Sequence, residues 1–352
     1  MMTEISTYPI DDHGLTQVLT EVRSAASATP QDLSRLTKAP HLFEGPVYDR
    51  VRVVGRDRVR FLHAMLSNDI SSLSEGEGRW ATLNSVQGKT IADVRVLVLD
   101  EAKKTGEALA LLEPGAAERF ITELDRFIIA DKCYFEEDEG MGLFLLAGHG
   151  AASWLESAGA SLPPQGPYNH CKTQLGGVDV QLIRLDRTSI EGEDIGIRFS
   201  LDDQTGVREA LSGLPTGSPE LLEAARLAGG QPRFGIDFTS ENIPLEAGLK
   251  DLAISFTKGC YIGQEVICRI DSMGSPKRRL TRLEQLPKVP IPGALLFGKG
   301  KEVGWVTSVA TTTEGPLAFG YVKKRFREPG TEVQLESPEG ATIAVGAPVG
   351  NV

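Results

Sequence analysis

The run Lys258-Gly259-Cys260-Tyr261-Ile262-Gly263-Gln264-Glu265 sets an ammonium, a thiol, a phenol and a carboxylate around two glycines. A core strand or a surface helix has little use for that mixture. Gly259 and Gly263 open backbone angles closed to other residues, so the spacing predicts a tight loop leading into a short helix over residues 265–270. Cys260 then lies near a helix N-terminus with Lys258 two residues away. Both features favour thiolate over thiol and predict a thiol pKa below the free value of about 8.5. Such a cysteine can act as nucleophile, redox centre or metal ligand. The opposing reading is a buried cysteine used as a small hydrophobe, and the residues alone leave both open.

A second candidate lies in the hairpin predicted at 80–83 and 90–99, turning through Gln87-Gly88-Lys89. Side chains alternate across a strand, so Asp93 and Arg95 share one face and Val94, Val96 and Val98 the other. A carboxylate and a guanidinium would line one side of a sheet, with a surface salt bridge as the plainer alternative.

The string KGCYIGQE resembles the signature of the YgfZ-type folate-binding proteins, accessory factors in iron-sulfur cluster assembly and repair that are related to the aminomethyltransferase (T-protein) of the glycine cleavage system. The segments FGIDFTSENIPLEAG (234–248), GRDRVRF (55–61) and NSVQGKTIAD (84–93) are similar to the same superfamily, so the likeness spans most of the chain. Aminomethyltransferases carry Phe-Ile-Gly where this chain has Cys260-Tyr261-Ile262-Gly263, which places the cysteine with the YgfZ branch. The resemblance implies that Cys260, Lys258 and Asp93 carry the chemistry and that Asn84, Asp93, Glu246 and Tyr261 line a site for tetrahydrofolate. Two departures bear on that site. Ala92 stands where the family has the first of two aspartates, which puts aminomethyl transfer in doubt, and Ala228 stands at the position of a pterin-binding glutamate, which implies weaker or different folate binding.

With 352 residues the chain is long enough for two or three domains. Its net charge of -11 argues against nucleic acid as the main partner, since phosphate binding needs a basic face. Local basic runs at 277–279 and 323–325 are solvated surface or, alternatively, a hold for a small anion such as a polyglutamate tail. Cys133, Cys171, Cys260 and Cys268 include no CxxC pair, so no metal site is expected. If residues 260–268 were helical, Cys260 and Cys268 would lie roughly 12 Å apart, beyond disulfide reach. The N-terminus is acidic and polar and no apolar run approaches membrane-spanning length, so a cytoplasmic protein without membrane contact is expected.

Along the chain, Leu15–Ala26 has helical spacing and 30–40 reads as a polar connector. Asp57 is placed to cap a helix burying Val59, Leu62, Met65 and Leu66, with His63 at its boundary. Strands are expected at 51–54, 108–112, 143–147, 178–185 and 194–199. Helices are expected at 116–129 and 206–214, and from Ser218 with Pro219 in the first turn and Gly229 at the end. From 280 onward short strands punctuated by glycine predict a small antiparallel barrel. The expected fold class is α+β: two ferredoxin-like subdomains (41–160 and 161–279) after an N-terminal helix and connector (1–40), with the barrel (280–352), around a central folate-type pocket. The expected function is support of iron-sulfur cluster assembly or repair, with client or assembly proteins as partners. The alternatives are a folate-dependent aminomethyl- or methyltransferase and a folate-binding module whose cysteine is structural.

Overall fold

The computed structural model describes residues 29–100, 106–190 and 194–350; the helix expected at Leu15–Ala26 lies outside them. The segment expected as a polar connector forms a short helix, α1 (Ser34–Lys38), held by buried Leu36. Two five-stranded antiparallel sheets follow. The first contains β2 (Asp49–Val54), β3 (Gly78–Asn84), β4 (Thr90–Val98), β5 (Glu107–Leu112) and β6 (Tyr134–Glu137), in the order β3-β4-β5-β2-β6. The second contains β1 (His41–Phe43), β7 (Met141–Ala147), β8 (His170–Leu175), β9 (Val178–Leu185) and β10 (Asp194–Ser200), in the order β8-β9-β10-β7-β1.

The two orders correspond strand for strand. In the first unit α2 (Arg58–Met65) follows β2 and α3 (Ala117–Asp125) follows β5; in the second α4 (Ala151–Ser157) follows β7 and α5 (Gln204–Ala210) follows β10. The four strands β4-β5-β2-β6 carry the ferredoxin-like arrangement, with β3 added at one edge. In the second unit the last strand is not supplied in sequence. β1 fills its place, pairing His41 with Ala147 and Phe43 with Leu145. A boundary at 160 therefore falls inside the second sheet, because β7 and α4 belong with β8–β10.

Each sheet covers its outer face with its helices, through Phe61, Leu62, Phe120 and Leu124 in the first and Leu155 and Val207 in the second. The inner faces pack together through Trp80, Leu97, Leu109 and Leu111 against Leu145, Ile183 and Leu185. On α2 the predicted stripe faces the core, with Leu62 and Leu66 buried and Val59 and Met65 packed partly buried beside them, joined by Phe61 and Arg58; Asp57 does not cap the helix. Its carboxylate accepts instead from the Lys132 backbone N–H at 2.9 Å. Helix α3 stops at Asp125, short of 129, where Phe127 and Ile129 are exposed and offer no buried face to extend it.

Helix α6 (Pro219–Gly229) follows its sequence signals, with the Ser218 hydroxyl accepting from the Leu221 N–H and Gly230 left-handed at its end. It is apolar on two sides. Leu221 and Ala225 join the core between the sheets, and Ala224 and Leu227 pack on Phe319 and Tyr321 of the barrel. That barrel closes six strands, β11 (Arg278–Glu284), β12 (Leu295–Gly298), β13 (Lys301–Thr312), β14 (Gly315–Lys323), β15 (Glu332–Leu335) and β16 (Thr342–Pro348), in the order β11-β14-β13-β12-β15-β16.

Where the three units meet, buried charges are paired. Arg226 donates to Glu223 through Nε (3.0 Å) and Nη2 (2.6 Å), to Asp237 through Nη1 (2.6 Å) and to the Ser308 hydroxyl (2.8 Å). Thr307 and Ser308 donate to the other Asp237 oxygen from the bulge in β13. Arg233 reaches Glu113 at 2.9 Å, and Arg187 pairs with the same carboxylate. Burial works to raise the Glu223 carboxyl, but Arg226, with Arg233 and Arg187, outweighs it and holds the group down to about 2. Its stabilising contribution is present above the unfolded value of 4.5 and is lost as the pH falls toward 2. Glu223→Gln is expected to cost about 2–4 kcal/mol at pH 7, because a buried guanidinium loses its partner. In urea unfolding the gap between native protein and variant should close between pH 4.5 and pH 2; a gap independent of pH would refute the assignment.

Candidate functional site

The loop predicted at 258–263 leads into α8 (Gln264–Ser272), one residue earlier than expected and extending two residues further, with Gly263 left-handed at its start. This loop rests on the β3–β4 turn. A Cβ at Gly263 would stand 2.4 Å from the Ser85 carbonyl oxygen and 3.0 Å from Gly88 Cα, and one at Gly88 would stand 3.2 Å from Val266 Cβ. Both glycines have positive φ, +82° and +75°. The two sequence motifs thus meet backbone to backbone, at the two places where a side chain has no room.

Lys258 fixes the other flank. A short helix, α7 (Lys250–Ala253), precedes the loop, which then turns so that the Lys258 ammonium donates to the carbonyls of His63, Leu66 (2.6 Å) and Asn68 (3.2 Å) at the end of α2. It also lies 5.2 Å from the Tyr261 ring centre. Burial lowers its pKa to about 8, opposed by Asp69, and three carbonyl acceptors favour the charged form. The Lys258 ammonium is thus directed at the carbonyls that end α2. Tyr261 is buried with Leu245, Ile254 and Ile267, and its hydroxyl has no partner. His63 places Nδ1 3.1 Å from Asp69 and 3.3 Å from the Ser71 N–H, a local contact.

Cys260 itself is exposed, while Cys171 and Cys268 are partly covered and Cys133 is buried. The pattern excludes a core role for Cys260. Among the described residues no three His, Cys, Asp or Glu side chains are grouped to hold a metal ion.

The second set of predicted residues lies in the interior. Asp93 is fully buried, and one carboxylate oxygen accepts from Arg95 Nη1 at 2.6 Å. Burial raises the Asp93 carboxyl to about 6 against the pull of Arg95. Among the described residues its other oxygen, Oδ1, has no partner, and neither have Asn84 Oδ1, Thr90 Oγ1, Trp80 Nε1, Tyr48 OH and Arg95 Nε. Trp80 pairs with Arg95 and Thr82 with Asp93 across the β3–β4 register, so Trp80, Thr82, Asp93 and Arg95 share the face toward the second sheet. Ala92 points the other way, into the apolar core beneath α2 and α3. An alanine there removes no carboxylate from the interior, which corrects the weight placed on it. Ala228 does pack against the core between the sheets.

Glu246 belongs to neither group. One oxygen accepts from Arg278 at 3.0 Å and the other from Asn242 at 3.2 Å, so it ties the 242–248 turn to β11. Arg278 is thereby committed rather than free for an anion. The Asn242 carbonyl accepts from the Thr90 N–H, which links this turn to the hairpin. Trp80 and Tyr48 carry no site signal in the sequence; their ring centres lie 4.0 and 5.2 Å from Arg95 Cζ. A cleft of about 370 Å³ lined by Gly78, Trp80, Tyr168 and Asn68 opens beside them.

Two outcomes follow. Brief alkylation near neutral pH should label Cys260 before the other thiols, because burial raises those of Cys133, to about 12, Cys171 and Cys268; peptide mapping that finds Cys268 labelled first would refute this. Gly263→Ala should lower stability by about 3 kcal/mol through its positive φ and the contact with Ser85, read from denaturant unfolding, and neutral substitution would remove the backbone contact from the account.

Residues 278–348 match the glycine cleavage T-protein C-terminal barrel domain. A chloroplastic Arabidopsis thaliana protein, provisionally named a transferase, is 29% identical over 298 residues, covering 82% of this chain but only 66% of its own. The YgfZ protein of Colwellia psychrerythraea, named as tRNA-modifying, is 26% identical over 268 residues, 73% of this chain and 77% of that one. The crystal structure of the glycine cleavage system aminomethyltransferase T from Bartonella henselae superposes with a TM-score of 0.76 at 24% identity, covering 94% of this chain and 88% of that one, and establishes the aminomethyltransferase-like fold. The chain is thus similar over most of its length to aminomethyltransferases of the glycine cleavage system and to a YgfZ protein, and it carries the T-protein barrel domain at 278–348.

Proposed function

We propose that the protein is a YgfZ-type accessory factor that supports assembly or repair of iron-sulfur clusters in client enzymes, with Cys260 as its working residue. The observation that carries this reading is the presentation of Cys260: an exposed thiol on a loop pinned by Lys258 on one flank and by the Gly263–Ser85 contact on the other. A rigid, accessible sulfur suits exchange with a partner's thiolates or cluster, whereas a structural cysteine gains nothing from exposure. Val86, on the turn beneath the loop, and Phe256, at its entry, are exposed apolar side chains that a client or assembly protein would cover.

Tetrahydrofolate is proposed as the interior ligand. The donor set fits it: Asp93 Oδ1 and Asn84 Oδ1 accept, Trp80 Nε1 and Thr90 Oγ1 donate, and Trp80 and Tyr48 offer flat aromatic faces. Bound there, the group would supply a carrier for one-carbon units. The residues hold and orient it, and their burial excludes water.

An aminomethyltransferase is the second reading, favoured by the retained interior carboxylate of Asp93 and opposed by its pairing with Arg95. One comparison separates the two. In a deletion strain, Cys260→Ser is expected to fold normally yet restore less than about a tenth of iron-sulfur enzyme activity, and Asp93→Asn to be the milder defect. Full complementation by Cys260→Ser with failure of Asp93→Asn would overturn the cluster role in favour of folate chemistry.

A further inference from the structure

Two of the buried arginines among the described residues, Arg226 and Arg95, are held differently. Arg226 uses Nε, Nη1 and Nη2, each on an oxygen, as a structural ion pair requires. Arg95 is buried too, at 3% exposure, yet among the described residues its Nε has no partner, as is also true of Arg58; what sets Arg95 apart is the company it keeps. Its Cζ lies over the Trp80 ring, 4.0 Å from the ring centre, and 5.2 Å from that of Tyr48. Around it Asp93 Oδ1, Trp80 Nε1 and Tyr48 OH are also buried and unpaired. Four polar atoms left unsatisfied in one place are costly, by about 1–3 kcal/mol each, and mark a site shaped for something else.

Guanidinium chemistry says what that is. A 2-amino-4-oxopyrimidine ring presents along one edge an N–H and an amino group on a shared carbon, the same coplanar N–C–N unit that a guanidinium offers a carboxylate. Both are flat, and both stack on aromatic rings. A cleft of about 370 Å³ lined by Trp80 and Tyr168 borders this group on the Trp80 side.

We propose that Arg95 is a built-in stand-in for the pterin edge: it occupies the flat slot on Asp93 between Trp80 and Tyr48, and a pterin binds by displacing it. The ligand edge would then donate to both Asp93 oxygens, including the one Arg95 leaves unpaired. Folate affinity is thus set by competition within the chain. The inference rests on the folate part of the function proposed above and is independent of the role of Cys260.

Titration calorimetry with tetrahydrofolate tests it on the full chain. Arg95→Met, which fills the stem volume without the edge, is expected to bind at least about tenfold tighter than the native protein. Adding Asp93→Asn should remove most of that gain, which a merely loosened interior would not do. A folded Arg95→Met protein, by thermal melting, that binds no tighter than native overturns the proposal. If Arg95→Met does not fold, Arg95→Lys keeps a cation on Asp93 but cannot lie flat between the rings; it should gain about threefold, and no gain overturns the proposal equally. Native binding without gain in either variant removes only the stand-in role, whereas no binding by any of the proteins removes folate with it.

Discussion

Burying charge is affordable only where partners are fixed in place, and the junction of the two sheets and the barrel is built around that condition. Arg226 and Asp237 have 1% exposure each, and their partners come from different parts of the chain: Glu223 from the same helix, Ser308 and Thr307 from the barrel, and, through Arg233, Glu113 from the first sheet. Arg187 from the second sheet completes the set. Removing any unit would strand a charge in the interior. The three units are therefore locked in one relative placement, and the exposed Cys260 loop and the polar face of β4 inherit that placement.

The second constraint is steric. Gly88 and Gly263 allow the hairpin turn and the start of α8 to approach more closely than any side chain permits. Through this contact the loop that carries the thiol is referenced to the same hairpin that carries Asp93. Lys258, spanning to three carbonyls at the end of α2, supplies the polar half of the same fixation. The loop is held by backbone groups on both flanks and presents the Cys260 thiol to solvent.

The matching orders of the two sheets give the interior its character. Each sheet turns helices outward and strands inward, so the inner faces form one layer, apolar through Leu97, Leu109, Leu145 and Ile183 and polar where Asp93 and Arg95 replace that pattern on β4. The alternation of β4 assigns Ala92 to the outer core and Asp93 to the inner layer, a distinction of one residue that decides which of the two positions faces the second sheet.

Much was legible in the sequence because it is local. Strand alternation around Asp93, the Ser218-Pro219 start and glycine end of α6, the glycine rhythm of the barrel and the KGCYIGQE loop all depend on neighbours within a few residues. What the sequence could not state is which distant groups compete for the same atoms. Lys258 reads as a neighbour of Cys260, but three carbonyls nearly 200 residues away accept its hydrogen bonds. Glu246 reads as a pocket carboxylate, but Arg278 and Asn242 occupy both its oxygens. β1 reads as the opening of the first unit, but the vacant edge beside β7 claims it. Spacing along the chain determined which chemistry each segment can offer. Only tertiary packing, by bringing partners with a stronger claim, decided which of those groups are consumed by the fold and which remain available.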